Sequence, residues 1–405
     1  MQVEETYQDF DTTKVVCTSK ELPCSLQASL EKIAQKEGYL KYKILSRSIS
    51  TEGGNYMAKL YEVDIKGKTP VGEKETNIFI KHSIPEFNLA DVSEIYCREL
   101  FFYNEVSKVF TGLEDEGKIP VDERYRSAKS YYESNSEAII LQNLAKDGFT
   151  TVFRMDVMPL RFAELSIQQL AKFHTLSLVM ERKRPEFFAK KIKNLKQIMQ
   201  FEEKNLDFCK RMFDTSVAIL ETETKKKLNG NYSQLLEKYK KYISGDGTKF
   251  KCLCHGDYRM NNILMKMKEG EITEVIPVDN QIILYGSPMA DFVYFIYGAT
   301  DREFRKNHLD HLKDLYYATM KNYLKYFEMD VNETYPRKLF EDNFHECTDF
   351  GLLSLLFLGP FFFADENEVP DLSKDDLSTH TVSVDLKFKD RLQEVVQEMI
   401  ENDKL

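Results

Sequence analysis

Strand-like apolar runs crowd into the first 142 residues of the chain, and helical spacing dominates afterwards. Ile44 to Ile49, Met57 to Ile65 and Ile78 to Lys81 read as strands, preceded by a helix near Leu26 to Glu37. A second helix follows from Leu89 to about Phe110, on which Val92, Tyr96, Tyr103, Val106 and Phe110 recur at three- and four-residue steps. Past residue 142 the spacing predicts a helix over Leu165 to Met180 and a Lys- and Glu-rich helical insert from 183 to 244. Leu392, Val395, Val396, Met399 and Ile400 mark a closing amphipathic helix, and Val369 to His380 is a polar, loose connection. One β interruption stands inside the helical part. Apolar runs Ile263 to Met267 and Glu274 to Val278 flank Lys268-Glu269-Gly270-Glu271, a turn-prone cluster, and predict a hairpin. The expected class is α+β in two lobes: residues 1–142 with a small sheet, and residues 143–405, larger and mainly helical.

Polar residues that interrupt this pattern carry the chemistry. Glu99 falls on the buried stripe of its helix, and a buried carboxylate is costly without a cation beside it. Lys81 is the natural partner: Ile78 and Ile80 share one face of their strand, so Phe79 and Lys81 project from the other. Downstream stand Asp257, Asn262 five residues later, and Asp279 behind the hairpin. With the hairpin centred on Gly270 and Glu271, residue 263 faces 278 and residue 262 faces 279. Two oxygen-bearing side chains meeting there suit Mg²⁺, completed by waters and phosphate oxygens. Phosphoryl transfer from ATP asks for one carboxylate to orient the attacking hydroxyl, an amide and a carboxylate for the metal, and a Lys–Glu pair for the phosphates. These five residues can fill those posts. Gly53, Gly54 and Asn55 sit between two strand-like runs ahead of Lys81, where backbone amides could cover phosphates; a plain hairpin turn explains them equally well. The loop reads His255-Gly256-Asp257 without the Arg of a protein kinase, and no A-P-E follows Asp279, so a small acceptor is expected. Ser287-Pro288 opens a helix with Asp291 three residues inside. His174 is expected to be a core histidine.

Seven stretches occur in order: Gly53-Gly54-Asn55-Tyr56 with Leu60-Tyr61-Glu62-Val63, Ile80-Lys81, Glu99-Leu100-Phe101-Phe102-Tyr103, Leu170-Ala171-Lys172-Phe173-His174, His255-Gly256-Asp257 with Asn261-Asn262, Val278-Asp279 with Gln281, and Tyr285-Gly286-Ser287-Pro288 leading to Asp291. The set resembles the insect ecdysteroid kinase-like family, a branch of the protein-kinase-like fold close to choline and aminoglycoside kinases. That resemblance implies a small antiparallel-sheet N-terminal lobe over a larger helical one. It implies Asp257 as catalytic base, Asn262 and Asp279 as Mg²⁺ ligands, Lys81 on the phosphates with Glu99 orienting it, and Asp291 bracing the catalytic loop from behind. Gly53, Gly54 and Asn55 would cover the phosphates, and Gln142 and Leu144 would flank adenine at the hinge. The acceptor it implies is a hydroxyl of a small lipophilic molecule, ecdysteroids being the known class. Three positions depart from the family's usual pattern. Tyr258-Arg259 replaces Leu-Trp and is expected to set bulky polar and cationic groups beside the reacting centre. Asn280 replaces a Phe expected to pack under the metal-binding Asp, and Gln142-Asn143-Leu144 replaces Glu-Asp-Leu.

Composition narrows the remaining classes. A net charge of −10 argues against a nucleic-acid binder, since phosphate backbones are held by excess Lys and Arg. Seven cysteines without a C-x-x-C fit a reducing, cytoplasmic setting, and Cys252-x-Cys254 is too tight for a zinc knuckle. The start lacks the basic and apolar segments of a secretory leader. Phe350 to Ala364 is nearly all apolar but shorter than the ~20 residues of a membrane span, and Gly359-Pro360 is expected to break it. It belongs to the core or to a greasy pocket. The function expected is phosphorylation, with ATP and Mg²⁺, of a steroid-like alcohol. The alternatives are a kinase of another small alcohol, choline-like or xenobiotic, and a catalytically silent ligand-binding relative.

Overall fold

The computed structural model describes residues 16–17, 22–49, 58–83, 92–198, 201–246, 250–364 and 384–405. The glycine loop with Gly53, Gly54 and Asn55, and the connection from Val369 to His380, lie outside them.

Alternation builds the smaller half. Strands Val16–Cys17, Lys41–Ile49, Ala58–Thr69, Gly72–Ser83 and Ala138–Gln142 form one sheet in that order, antiparallel throughout except for the first, which runs parallel to the second. Ile44, Val63, Ile65, Ile78, Ile80 and Ile140 bury one face of it against Leu26, Leu30 and Ile33 of the helix Cys24–Lys36. Lys81 pairs in register with Leu60 on one side and Ile139 on the other, and emerges on the opposite face from those isoleucines.

The helix that carries Glu99 runs Val92–Phe101, widens to a π-helical turn over Phe102–Val106, and continues through Ser107–Glu116. Its apolar stripe packs downward: Ile95, Tyr96, Phe102, Tyr103, Val106 and Phe110 belong to the core of the larger half, with Phe173 of the helix Leu160–Lys183. Glu99 is thereby delivered to the border between the halves.

Helices make up most of the larger half, with two small sheets set among them. Cys252–Cys254 pairs with Leu284–Gly286, and the hairpin Ile263–Lys268 with Glu271–Pro277 is extended by Phe149–Thr150. The hairpin differs from the expected register by one residue. Glu269 and Gly270, both at positive φ, make the turn, and an irregularity after Lys266 shifts the pairing so that Ile263 faces Pro277. Asn262 then accepts the Val278 N–H at 2.9 Å, and Asp279 follows one position later at φ +68°.

The apolar segment from Phe350 does not break at Gly359-Pro360. Helix Arg337–Phe362 continues through Pro360. A proline there withholds the N–H due to the Leu356 carbonyl, and Ser216 Oγ donates to that carbonyl at 3.0 Å instead. Gly359 has its own reason: a Cβ there would lie 2.3 Å from the Phe388 ring of the closing helix Leu386–Glu401. Arg154 clamps the helix end, donating to the carbonyl oxygens of Phe362 and Ala364. Among the described residues no helix is long and apolar enough to cross a membrane.

Candidate active site

A cleft of about 580 Å³ lies between the sheet and the hairpin, lined by Lys81, Glu99, Gln142, Leu144, Asn262 and Asp279 among others. Lys81 anchors it. Its ammonium has three hydrogens and three acceptors: Glu99 Oε2 at 3.0 Å, Asp279 Oδ1 at 2.5 Å and Gln281 Oε1 at 2.9 Å. Burial opposes the charge on Lys81, but Asp279 and Glu99 outweigh it and hold the ammonium above the ordinary lysine range. Burial raises the Glu99 carboxyl, and Lys81 offsets part of that rise. Gln142 sends its side-chain amide to Asp147 Oδ2 at 2.7 Å, and its backbone N–H donates to the Lys129 carbonyl at 2.9 Å.

The loop after strand Cys252–Cys254 needs a glycine at 256. Its φ is +81°, and a Cβ would sit 2.3 Å from the Ile282 carbonyl oxygen, which excludes the Arg of a protein kinase there. Behind the loop, Asp291 accepts from the His255 N–H at 2.7 Å and the Gly256 N–H at 3.0 Å, while Ser287 caps the helix through the Met289 N–H. Asp291 therefore holds the loop backbone. His174 Nε2 lies 3.2 Å from Asp291 Oδ2 and its Nδ1 is 2.8 Å from the Tyr316 hydroxyl. Burial works against a charged His174, yet Asp291 and Cys254 raise its pKa to about 9. His174, Cys252 and Cys254 place ligand atoms within 4.8 Å of one another, but both ring nitrogens have partners and burial raises both thiols, so the group is packing rather than a metal site.

Asp257 is gripped at both oxygens. Tyr294 donates to Oδ1 at 2.8 Å, and Oδ2 accepts from Asn262 Nδ2 at 2.7 Å and Arg259 Nε at 3.1 Å. Burial works to raise its pKa, but Arg259 and Tyr294 overcome it and hold the carboxyl below the ordinary range. Because Asn262 spends its Nδ2 on Asp257, its carbonyl oxygen is the end left for a cation. His255 ties this loop to the hairpin, its Nε2 lying 3.1 Å from the Val278 carbonyl.

Asp257 also opens on a second cavity, of about 480 Å³, walled by Ile198, Phe208, Tyr239, Tyr294, Phe361 and Phe362 among others. Its walls come from the helical insert, the helix Pro288–Ala299 and the end of Arg337–Phe362. The carboxylates that reach it are engaged: Asp246 with Lys251, Asp279 with Lys81, Asp291 with the loop backbone, and Asp257 as above.

Lys81, Glu99, Asn262 and Asp279 thus share one cleft with Gln142 and Leu144, and Asp257 stands between that cleft and the aromatic cavity. One expectation changes. Tyr258 is not beside the reacting centre: it turns into the core, stacks edge-on with Phe295 and donates to the Ser166 carbonyl at 2.6 Å. Only Arg259 of that pair reaches Asp257. Asn280 is fully buried at the position of the missing ring, near the Tyr103 hydroxyl. Tyr294 was not anticipated; the available signal was its position one helical turn beyond Asp291, which sets both side chains toward the same loop.

A small antiparallel sheet above a helical body, with charged groups converging in the cleft between them, defines a two-lobed molecule of the protein-kinase-like kind. The chain belongs to the ecdysteroid kinase-like family, whose model matches residues 52–329. No curated protein matches it. Among solved structures it is similar to the GDP complex of wild-type aminoglycoside 2'-phosphotransferase-IIIa, at 12% identity and TM-score 0.40, covering 94% of this chain and 100% of that one. It is also similar to the GDP and kanamycin complex of APH(2")-IIia, at 11% identity and TM-score 0.40, covering 93% and 98%. The family assignment, rather than these distant alignments, supports a small-molecule kinase.

Proposed function

We propose that this protein transfers the γ-phosphoryl group of ATP, with Mg²⁺, to a hydroxyl of a small lipophilic molecule, an ecdysteroid or similar steroid alcohol. The observation that carries the reading is the aromatic cavity opening on Asp257. Its 480 Å³ falls in the ~300–1,000 Å³ range of small-molecule sites, and its carboxylates are already engaged, which disfavours a cationic acceptor such as choline. Asn262 and Asp279 offer hard oxygen donors, the set Mg²⁺ takes, and these two residues would hold it. The ion would neutralise charge on the phosphates. Lys81, kept charged by Glu99, binds the phosphates. Asp257 accepts a hydrogen bond from the acceptor hydroxyl, and its lowered pKa suits a role in orientation with late proton uptake, as a loose transition state requires. Gln142 and Leu144 flank adenine with backbone groups, and Gly53, Gly54 and Asn55 cover the phosphates. In this reading the lobes divide at 142/143, the 183–244 insert walls the acceptor site, and the free cysteines belong to a reducing cytoplasm.

A radiolabelled ATP assay against hydroxysteroids, choline-like amines and generic protein substrates tests it. Label is expected on a hydroxysteroid alone. Label on protein, or on choline-like amines in preference to steroids, rejects the proposed acceptor class.

A further inference from the structure

We propose that Arg259 is the cation that stabilises the phosphoryl group in transit, an arginine finger supplied within the chain. The inference rests on the kinase reading above and adds a residue to its machinery. Arg259 occupies a position where this chain departs from the family's usual tryptophan. Its Nε donates to Asp257 Oδ2 at 3.1 Å, the same oxygen that takes Asn262 Nδ2, whereas Oδ1 faces Tyr294. The acceptor hydroxyl must hydrogen-bond Asp257 and stand in line with the phosphoryl group. Arg259 lines the aromatic cavity beside that carboxylate rather than the cleft, so its guanidinium approaches the forming oxygen–phosphorus bond from the acceptor side.

Its setting is preorganised, the condition for a charge to act in a transition state rather than merely bind. The guanidinium lies over the Phe362 ring at 4.5 Å, the side chain is 19% exposed, and Arg154 fixes the helix end that carries Phe362. A cavity of about 40 Å³ also borders it, lined by Arg154 and Phe362 among others. In the step, the bond from the acceptor oxygen to Pγ forms as the bond from Pγ to the β–γ bridging oxygen breaks. ADP leaves with that electron pair, and the hydroxyl proton passes to Asp257 and on to water. Arg259 faces the equatorial oxygens while charge spreads over them, and returns to Asp257 afterwards.

The test uses Arg259→Ala and Arg259→Lys in the full chain, with an alcohol that the wild type phosphorylates. Steady-state kinetics are read beside calorimetric affinity for ADP alone and for Mg-ADP with aluminium fluoride, a stand-in for the phosphoryl group in transit. Arg259→Ala is expected to lower kcat by about 10³-fold or more at nearly constant KM, with Arg259→Lys restoring part of it. Affinity for the aluminium fluoride complex should fall in step while that for ADP, the check on folding, stays put. Three outcomes overturn the inference alone: an unchanged kcat, a loss confined to the acceptor KM, or an unchanged aluminium fluoride affinity, which would leave Arg259 only positioning Asp257. A wild type without turnover on any alcohol overturns the kinase reading and this inference with it.

Discussion

The two cavities that share Asp279 and are bridged by the Asp257–Asn262 contact are built on opposite principles. The cleft under the sheet is held by charge, with one ammonium shared among Glu99, Asp279 and Gln281 from separate elements. The cavity beyond is held by rings: Tyr239 stacks on Phe350 and Phe357, and Tyr294 on Phe350. Charge in the cleft fixes a few atoms by directed hydrogen bonds. Rings in the cavity fix a shape but few hydrogen bonds, which suits a ligand recognised by its outline. Asp257 lines the aromatic cavity and is tied to the cleft through Asn262, while Asp279 lines both.

Asp257→Asn breaks the comparison at its centre. It should cost ~10²–10⁴-fold in kcat while nucleotide affinity measured by calorimetry persists; a near-normal rate would sink the role given to that carboxylate. Lys81→Met tests the charged side, because Glu99 would remain buried without its cation. A stability loss of about 3–5 kcal/mol in urea unfolding is expected, together with weakened ATP binding, and an unshifted midpoint would show that the pair is idle. His174 supplies a pH test. Its folded pKa of about 9 lies above the unfolded ~6.5, so its contribution is complete below pH 6.5 and fades as pH rises through 9. Wild-type stability should fall by up to about 3 kcal/mol across that window and the slope should flatten in His174→Gln; parallel profiles would reject the linkage. Tyr294→Phe removes a hydrogen bond to a buried carboxylate, worth about 1.5–3 kcal/mol. Because Tyr294 lowers the Asp257 pKa, the acid limb of the kcat profile should move to higher pH, and a static limb would contradict the contact. Smallest of all, Tyr258→Phe should cost about 1 kcal/mol of stability with kcat unchanged; a large kcat loss would return that tyrosine to the reacting centre.

The same contrast explains what could be read from the sequence. Strand alternation set Lys81 opposite Ile78 and Ile80, and helical spacing set Glu99 on a buried stripe, so their meeting followed from two local periods and one energetic rule. The hairpin was legible, but its register was not. Positive φ at Glu269 as well as Gly270 moved the turn, and a single irregularity after Lys266 took back half of the resulting offset, leaving Ile263 opposite Pro277; neither follows from hydrophobicity. Tyr258 was misplaced because a loop residue has no period to give its direction. Of the aromatic cavity only the segment from Phe350 was legible, as core or greasy pocket; Ile198, Phe208 and Tyr239, which complete the wall, lie more than a hundred residues away and share with it only the property of being apolar.

Arg154 touches both worlds: it borders the cleft, and it holds the last carbonyls of the helix whose Phe362 walls the aromatic cavity. The two ligands of the proposed reaction would therefore lean on a common abutment. In the kinase reading, filling one side would stiffen the other, and the sequence of arrival would then be a property of the architecture and not of concentrations alone.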